Sequence, residues 1–321
     1  MNQIKVCIAA TIRRFDTDAD LFIAYHLKMG VDKIYLFVSN PHENNRPLPI
    51  TEKVDITLTD DQLKEVWKGI PDYNIVAPYI ATETMARQYL NLSVALDKAR
   101  DDQMDWIAHL DGDELLYCET GTIRDFLEAT PDHVGQMVLA NHEVMPSEFE
   151  MEVPFNEMLP FKKSRIFLSR KADMKAHHYF SMKKRFFFVA YINGKAICRL
   201  GPDTKACTIG PHRFLPPAKH PSTWLAPQEF SVLHYAETSF KRFQSKYQDL
   251  GDFPNTWFGN AEVTPFRIIS RNLMKEHGEE ALKKFYNEQV VYDDPEEIRQ
   301  LELDGIVKWA NPFATVGLQL P

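Results

Sequence analysis

Residues 106–117, WIAHLDGDELLY, join two apolar runs through an acidic turn. The turn carries three carboxylates in four residues, Asp111, Asp113 and Glu114, where a buried strand would reach the surface. Adjacent carboxylates repel one another and resist desolvation unless a cation or hydrogen-bond donors compensate them. Because Mg²⁺ and Mn²⁺ prefer oxygen ligands, we expect Asp111 and Asp113 to bind a divalent metal ion. The alternative is an acidic turn near a helix N-terminus.

The composition is that of an ordinary globular protein. Of its 321 residues, 44% are hydrophobic and 26% are charged. This length is enough for one large domain or two smaller ones. A formal net charge of -8 and a pI near 5.8 argue against nucleic acid as a partner, because phosphate affinity comes mainly from Lys and Arg. The sequence shows neither a signal peptide nor a transmembrane run, so we expect a cytoplasmic location.

The first half of the chain alternates strand and helix patterns, which predicts an α/β fold. The apolar run at residues 4–12 predicts a strand covered on both faces, and the helix after it should end at Gly30. In open α/β sheets, ligands bind beyond the carboxyl ends of the strands, which is where Asp111 and Asp113 should lie. The predicted strands cover residues 4–12, 34–38, 54–58, 106–111 and 136–140, and the predicted helices cover residues 18–29, 82–102 and 123–129.

The pattern changes after about residue 145. Residues 162–185 carry nine Lys or Arg and one acid, which indicates a solvated surface or a region that binds a diphosphate or an anionic acceptor. Residues 185–200 predict a β-hairpin, because Asn193-Gly194 suits a type I′ turn. The tail from about residue 251 is predicted to be helical, with a break at Gly278.

Four blocks of this sequence together resemble one enzyme family. They are the strand at residues 4–12, YHLKMGVDKIYL at residues 25–36, DWIAHLDGDELL at residues 105–116, and residues 232–246 with VLHY and a later SF. The combination resembles the family 92-type and family 2-like glycosyltransferases of the GT-A fold. The resemblance implies a Rossmann-like mixed central sheet flanked by helices in residues 1–250, with a helical C-terminal extension in residues 251–321. The nucleotide-sugar half would cover about residues 1–145 and the acceptor half about residues 146–250.

The resemblance implies a metal-dependent transfer, with inversion, of a sugar from a nucleoside diphosphate sugar to a hydroxyl of a carbohydrate or glycoconjugate. The leaving diphosphate gains charge as the glycosidic bond breaks, and Mn²⁺ or Mg²⁺ on Asp111 and Asp113 would neutralise it. Such enzymes commonly add a histidine from the C-terminal part as a further metal or phosphate contact. His212 is preferred over His234 for this role, and a structural histidine is the alternative for each.

The resemblance implies that the donor binds at the ends of the first two strands and beside the acidic turn. Arg87 and Gln88 lie on the helix before that turn, and a solvated helix face is their alternative. Lys195 would contact phosphate, or it is an exposed hairpin lysine. The residues expected to bind the nucleotide sugar are Thr11, Arg13, Arg14, Ser39, Asn40, Arg87, Gln88, Asp111, Gly112 and Lys195.

Inverting transfer needs a general base near the acceptor hydroxyl. Glu143, at the end of the next predicted strand, is the first candidate, followed by Asp203 and Glu114. The chain departs from the family pattern here, since it has no recognisable Glu-Asp pair of the family 2 type. The assignment of the base therefore stays open.

Two other functions fit the same pattern. A sugar nucleotidyltransferase would use a similar sheet and paired acids, but a Gly-rich loop is expected after the first strand, and residues 9–14 contain no glycine. The second is a non-catalytic module that binds a nucleotide sugar or a glycan. Release of a free nucleoside diphosphate from a nucleotide sugar would distinguish a glycosyltransferase from both of these alternatives.

Overall fold

The computed structural model describes residues 3–44, 46–49, 51–151, 154–207, 210, 212–250 and 253–319. The chain divides into two compact units, and neither is continuous in sequence. The first unit comprises residues 1–139, 194–232 and 258–261, and the second comprises residues 140–193, 233–257 and 262–321. The expected division into a donor half, an acceptor half and a C-terminal extension stays a prediction.

Sixteen strands and eleven α-helices make up the described part of the chain. The strands are β1 (Val6–Ile12), β2 (Lys33–Val38), β3 (Val54–Leu58), β4 (Trp106–Asp111), β5 (Glu114–Cys118), β6 (Val134–Leu139), β7 (Asn141–Val144), β8 (Leu159–Lys162), β9 (Lys195–Arg199), β10 (Lys205–Ala206), β11 (Phe214–Leu215), β12 (Ser222–Leu225), β13 (Phe230–His234), β14 (Thr256–Trp257), β15 (Ala261–Glu262) and β16 (Val307–Ala310). The helices are α1 (Thr17–Met29), α2 (Asp61–Lys68), α3 (Tyr73–Val76), α4 (Thr84–Asp101), α5 (Ile123–Glu128), α6 (Arg170–Lys183), α7 (Phe240–Leu250), α8 (Pro265–Glu276), α9 (Gly278–Val290), α10 (Pro295–Leu303) and α11 (Pro312–Thr315).

The first unit is built on a seven-stranded mixed sheet in the order β12-β6-β9-β4-β1-β2-β3. β1 pairs in parallel with β2 and β4, and β2 pairs in parallel with β3. β9 runs antiparallel to both of its neighbours, β4 and β6. The predicted α/β class, with a mixed central sheet flanked by helices, is confirmed.

The opening β-α-β unit forms as its sequence predicts. The Asp16 side chain caps α1 by accepting hydrogen bonds from the Asp18 and Ala19 N–H groups. Gly30 ends the helix with φ 105°, a left-handed conformation that glycine adopts without a steric penalty. The parallel register sets Thr11 of β1 beside Asp111 of β4, so the carboxyl ends of these strands lie at one edge of the sheet.

The long helix α4 covers one face of this sheet. Its buried side chains, such as Leu92 and Leu96, belong to the same apolar cluster as Cys7, Ala9 and Ile107 from β1 and β4. These buried residues recur at helical spacing, as predicted. Packing against the sheet therefore fixes the polar face of α4 relative to the end of β4.

The predicted hairpin at residues 185–200 is wrong. β9 forms at Lys195–Arg199, but residues 185–192 contain no strand. Gly194 has a positive φ of 68°, whereas Asn193 does not have the positive φ that a type I′ turn requires. Since β9 is already paired with β4 and β6, both of its edges are occupied and no hairpin partner can add.

The second unit contains the antiparallel strands β7, β8 and β16 and the helices of the tail. The tail is largely helical, as predicted, and Gly278 separates α8 from α9. Asp294 caps α10, with Pro295 in the first turn. The tail also supplies β16, which pairs with β8. None of the helices in the described residues is long and apolar enough to cross a bilayer.

Candidate functional site

The acidic turn lies at the carboxyl end of β4, as expected from the sequence. Asp111 is the last residue of that strand, Gly112 and Asp113 form the turn, and Glu114 begins β5. A Cβ atom on Gly112 would lie 2.8 Å from Cγ2 of Ile12, so the turn approaches the end of β1 more closely than a larger residue would allow. The turn therefore presents its carboxylates at the sheet edge where β1 and β2 also end.

Lys195 is buried and contacts two of these carboxylates. Its Nζ lies 2.8 Å from Oδ2 of Asp111 and 3.4 Å from Oε2 of Glu114. Its side chain is 0% exposed, which excludes the alternative of an exposed hairpin lysine. Burial alone would lower the pKa of Lys195, but the charges of Asp111 and Glu114 outweigh burial and raise it above its ordinary value.

Glu114 supports Asp111 from inside the fold. Its Oε2 accepts a hydrogen bond of 2.8 Å from the backbone N–H of Asp111, and the residue is fully buried. Three carboxylates (Asp111, Asp113 and Glu114) against the one ammonium of Lys195 leave a formal charge of two negative units from these four side chains. Such a surplus suits a cation at the exposed side of the turn.

Gln88 on α4 contacts the same aspartate. Its Nε2 donates to Oδ1 of Asp111, and only 7% of the residue is exposed, so the alternative of a solvated helix face is excluded for Gln88. Three residues further along the helix, Asn91 donates to Oγ1 of Thr11 at 3.0 Å and accepts from Nε1 of Trp67 at 3.2 Å. The helix thus fixes the side chains at the ends of both β1 and β4.

Two histidines lie close to Asp111. His109 precedes Asp111 by two residues on β4, so both side chains belong to one face of the sheet. Burial alone would raise the pKa of Asp111, but Lys195 and then His109 and His212 lower it well below its ordinary value. The predicted residues Asp111, Lys195, Gln88 and His212 are therefore brought together.

The hydrogen bonding of His212 selects one ring tautomer. Nδ1 lies 2.9 Å from the backbone oxygen of Gly194, which can only accept, so Nδ1 carries the proton. Burial, and then the charge of Lys195, lower the pKa of His212 well below its ordinary value, which keeps the ring neutral with its lone pair on Nε2. Histidines that bind metals commonly use this arrangement, with the second ring nitrogen donating to a carbonyl.

The donor set fits a metal ion that a substrate helps to coordinate. No group of three or more His, Cys, Asp or Glu side chains in the described ranges is arranged as a complete metal cage. Mg²⁺ is usually bound by one or two carboxylates together with substrate phosphates, so a complete cage is not required. Both oxygens of Asp111 accept hydrogen bonds, from Gln88 and Lys195, so the protein itself fixes this carboxylate.

The predicted nucleoside residues lie at the ends of β1 and β2. Arg13 forms a two-bond ion pair with Glu43, with distances of 2.8 and 2.9 Å, and Asn40 donates to the same carboxylate at 2.9 Å. Arg14 donates to Asp16 at 3.2 Å. The backbone N–H of Ser39 donates to the oxygen of Ile12 at 2.8 Å and ties the two strand ends together.

Arg87 binds the first residue of its own helix and the segment before it. Its Nη1 donates to the oxygen of Ile80 at 2.7 Å, and its Nη2 donates to Oγ1 of Thr84 at 3.1 Å. Burial lowers its pKa. These bonds hold the segment that leads into α4, and a contact with the donor stays a prediction.

Glu143, the first candidate for the base, is buried in the second unit. Its carboxylate lies 2.8 Å from Nζ of Lys162 and accepts hydrogen bonds of 2.9–3.1 Å from the N–H groups of Val189 and Ala190. The two charged side chains are 1% and 2% exposed, so this geometry favours a structural ion pair. A catalytic role for Glu143 stays an untested prediction.

Asp203, a candidate base, and His234, a candidate metal ligand, have different surroundings. Asp203 lies in an exposed loop of the first unit, where Oδ2 accepts from the N–H of Ala218 at 2.8 Å. His234 ends β13 in the second unit, is 4% exposed and stacks on Tyr191 with ring centroids 5.0 Å apart. This packing matches the structural alternative for His234, and its role at a metal stays a prediction.

Sequence reasoning missed His109 and Asn91. A lone histidine in an apolar strand does not indicate a ligand, but its spacing of two from Asp111 places both on one face. Asn91 is a polar residue on the apolar face of α4, three residues after Gln88. Both signals are visible in the sequence once the face of each element is known.

Comparisons with known proteins show similarity to glycosyltransferase-like proteins without defining a family. No protein-family model matches the chain. A glycosyltransferase-like protein of Arabidopsis thaliana is 26% identical over 322 residues, covering 94% of this chain and 69% of that protein. A second glycosyltransferase-like protein of the same plant is 25% identical over 309 residues, covering 90% of this chain and 58% of that protein. The chain thus spans about two thirds of one relative and less of the other.

Solved structures give only remote similarity. The mannosyltransferase Ktr4p from S. cerevisiae has a TM-score of 0.25 and 10% identity, over 46% of this chain and 41% of that one. A putative glucose-1-phosphate thymidylyltransferase from Bacillus anthracis has a TM-score of 0.23 and 12% identity, over 48% of this chain and 58% of that one. Such low TM-scores support no conclusion about activity.

Proposed function

We propose that this chain is a glycosyltransferase that moves a sugar from a nucleoside diphosphate sugar to a hydroxyl of a carbohydrate or glycoconjugate. The observation that carries the proposal is the cluster at the end of β4, in which buried Lys195 holds Asp111 beside the half-buried turn at Asp113. Similarity to two glycosyltransferase-like proteins over at least nine-tenths of the chain supports the same activity.

The cluster suits the diphosphate of the donor. Lys195 and Gln88 fix the orientation of Asp111, while Asp113 and His212 are the groups we propose as ligands of Mn²⁺ or Mg²⁺. A bound divalent ion would act as a Lewis acid for the departing diphosphate. The fixed donors and charges are in place before the donor binds, so little reorganisation is needed as charge develops.

The nucleoside of the donor is proposed to bind where β1 and β2 end. Thr11 is fixed by Asn91, and the Arg13–Glu43–Asn40 contacts form a polar edge beside it. Arg14, Ser39 and Gly112 lie along the same strand ends. The backbone here offers hydrogen-bonding groups to a base and a ribose.

Inversion requires a base whose carboxylate can reach an acceptor. Of the three candidates, Glu143 and Glu114 are fully buried, whereas Asp203 is exposed. We therefore propose Asp203 as the candidate to test first. A base with a hydrogen-bonded carboxylate, such as Asp203 with Ala218, can still accept a proton through its second oxygen.

The experiment is a donor screen that measures product. Purified protein with Mn²⁺ is incubated with UDP- and GDP-sugars without acceptor, and the free nucleoside diphosphate is measured. We expect slow release by the wild-type protein, loss of release in Asp113→Asn, and no change in the matched control Asp61→Asn, whose side chain is 97% exposed on α2. Binding without release would indicate a binding module, and pyrophosphate release from a nucleoside triphosphate would indicate nucleotidyltransfer.

A further inference from the structure

The geometry points to a second ligand site, a cationic cavity in the second unit that binds the phosphate group of a small ligand. The cavity has a volume of about 350 Å³ and lies beside the last turn of α6. Its polar lining comes from Arg165, His177, Ser181, Lys184 and Arg185, and phenylalanine rings form its apolar wall. This volume falls within the range of small-molecule sites, roughly 300–1,000 Å³.

The charge of the lining is positive. Arg165, Lys184 and Arg185 contribute cations, and no Asp or Glu belongs to the lining. Two acids outside the lining pair with these cations: Asp173 lies 3.7 Å from Nη1 of Arg165, and Glu297 lies 3.7 Å from Nη1 of Arg185. Both contacts are longer than a hydrogen bond, so the cations keep donors for a ligand.

Arg185 is the most enclosed of the three cations. Its side chain is 14% exposed, and its guanidinium lies 4.6 Å from the centroid of the Tyr292 ring. Its buried Nη1 has no hydrogen-bond acceptor within the part of the chain that the structure describes. A buried donor without an acceptor is uncommon, and it leaves this guanidinium incompletely compensated by the fold.

The backbone at Lys184 and Arg185 is held in place by other residues before any ligand binds. Lys184 has φ 52°, a left-handed conformation uncommon for residues other than glycine. The side-chain amide of buried Gln289 donates to the oxygen of Lys184 and accepts from the N–H of Phe186, each at 3.1 Å. Strained backbone persists where neighbouring groups hold it, and such positions are frequent at ligand sites.

The same residues favour phosphate over a carboxylate as the ligand group. An arginine guanidinium offers paired donors in a planar fork that matches phosphate oxygens. Asp173 and Glu297 balance part of the charge of Arg165 and Arg185, and a phosphate monoester, with a charge of about -1.5 to -2 at pH 7, draws more strongly on the three cations than a carboxylate with a single charge. The Arg165 guanidinium is stacked 4.8 Å from the Phe187 centroid, which limits its rotation. This inference does not rest on the proposed glycosyltransferase activity.

The test is calorimetric titration of the full chain with inorganic phosphate at low salt. Arg165→Gln combined with Lys184→Asn removes two cations from the lining, and asparagine tolerates the left-handed conformation. The control combines Arg170→Gln with Lys171→Gln, which removes the same charge from exposed residues in the first turn of α6. Neither of those residues belongs to the lining of the cavity.

We expect the control to keep the wild-type affinity and the lining variant to bind phosphate at least tenfold more weakly. Neither variant alters the Asp111 cluster, so a difference in phosphate affinity between them reports on the cavity. Arg165→Gln alone, a substitution of a half-exposed side chain, should give an intermediate loss if the double variant folds poorly. Absence of saturable phosphate binding to the wild type, equal losses in both double variants, or equal binding of acetate would each overturn the inference.

Discussion

Nζ of Lys195 lies 2.8 Å from Oδ2 of Asp111, so the strand that begins at Lys195 supplies the counter-charge for the strand that ends at Asp111. β9 and β4 are paired antiparallel neighbours, which places the start of one at the end of the other. The acidic turn is therefore compensated from within the sheet on its buried side. Asp113 lies in the turn that follows, where it is half-buried.

Loss of Lys195 should destabilise the fold as well as stop activity. Lys195→Met would leave buried Glu114 without its cation, and breaking one partner of a buried pair costs about 3–5 kcal/mol. Urea unfolding measures this change in the free energy of unfolding. Adding Glu114→Gln should recover part of it, because the amide needs no counter-charge, and Lys171→Met is the exposed control. Equal stability of wild type and Lys195→Met would contradict the burial of this pair.

Acid should weaken the fold partly through Asp111. The pKa of Asp111 is lower in the folded chain than its ordinary value of 3.8, so its stabilising contribution is complete above about pH 4 and is lost as the pH falls toward the folded-state pKa. Urea unfolding between pH 5 and pH 2 should show a smaller loss of stability in Asp111→Asn than in wild type. Parallel pH profiles would mean that the Asp111 carboxylate is not stabilised in this way.

A single substitution distinguishes a structural role of Glu143 from a catalytic one. As the partner of buried Lys162, Glu143 should be required for stability, and Glu143→Gln should lower the free energy of unfolding by about 3–5 kcal/mol. A catalytic base would instead give a stable but inactive Gln variant. Glu148→Gln, on an exposed residue nearby in the sequence, is the matched control. A fully stable Glu143→Gln protein would remove the structural assignment.

The close approach at Gly112 should make that position intolerant of a side chain. Gly112→Ala would place a Cβ atom 2.8 Å from Cγ2 of Ile12, so the turn must shift and Asp113 with it. We expect at least a tenfold loss of donor hydrolysis and a cost of about 1–3 kcal/mol in stability. Ile12→Ala removes the opposing methyl group, so the double variant should regain activity relative to Gly112→Ala. Normal hydrolysis by Gly112→Ala would show that the turn can relax without moving Asp113.

Local sequence patterns correctly predicted the strands and helices that are marked by apolar runs, capping residues or periodic apolar residues. The apolar run of β1, the Asp16 and Gly30 caps of α1, and the helical spacing in α4 each appear in the fold as expected. The position of Asp111 at a strand end also follows from such signals, because an apolar run that ends in acids marks where a strand surfaces.

The partners of Lys195 and Glu143 could not be predicted because they lie far away in the sequence. Asn193-Gly194 suggested a local hairpin, but β4 and β6 supply the partners of β9 from 56 to 93 residues earlier. Glu143 resembled an accessible acid at a strand end, yet its oxygens bind the backbone at Val189 and Ala190. Tertiary pairing of this kind overrides a local turn signal.

The linkage between metal and nucleotide binding tests the central claim most directly. If Asp113 and His212 supply only part of the coordination, Mn²⁺ should bind more tightly when a nucleoside diphosphate is present, and the nucleotide should gain the same factor from Mn²⁺. Titration of Mn²⁺ followed by electron paramagnetic resonance gives the Mn²⁺ affinity with and without UDP or GDP. The linkage then gives the matching change in nucleotide affinity. We predict at least a tenfold mutual increase in affinity for the wild type and none for Asp113→Asn. Independent binding of Mn²⁺ and either nucleotide, or unchanged coupling in Asp113→Asn, would contradict the account.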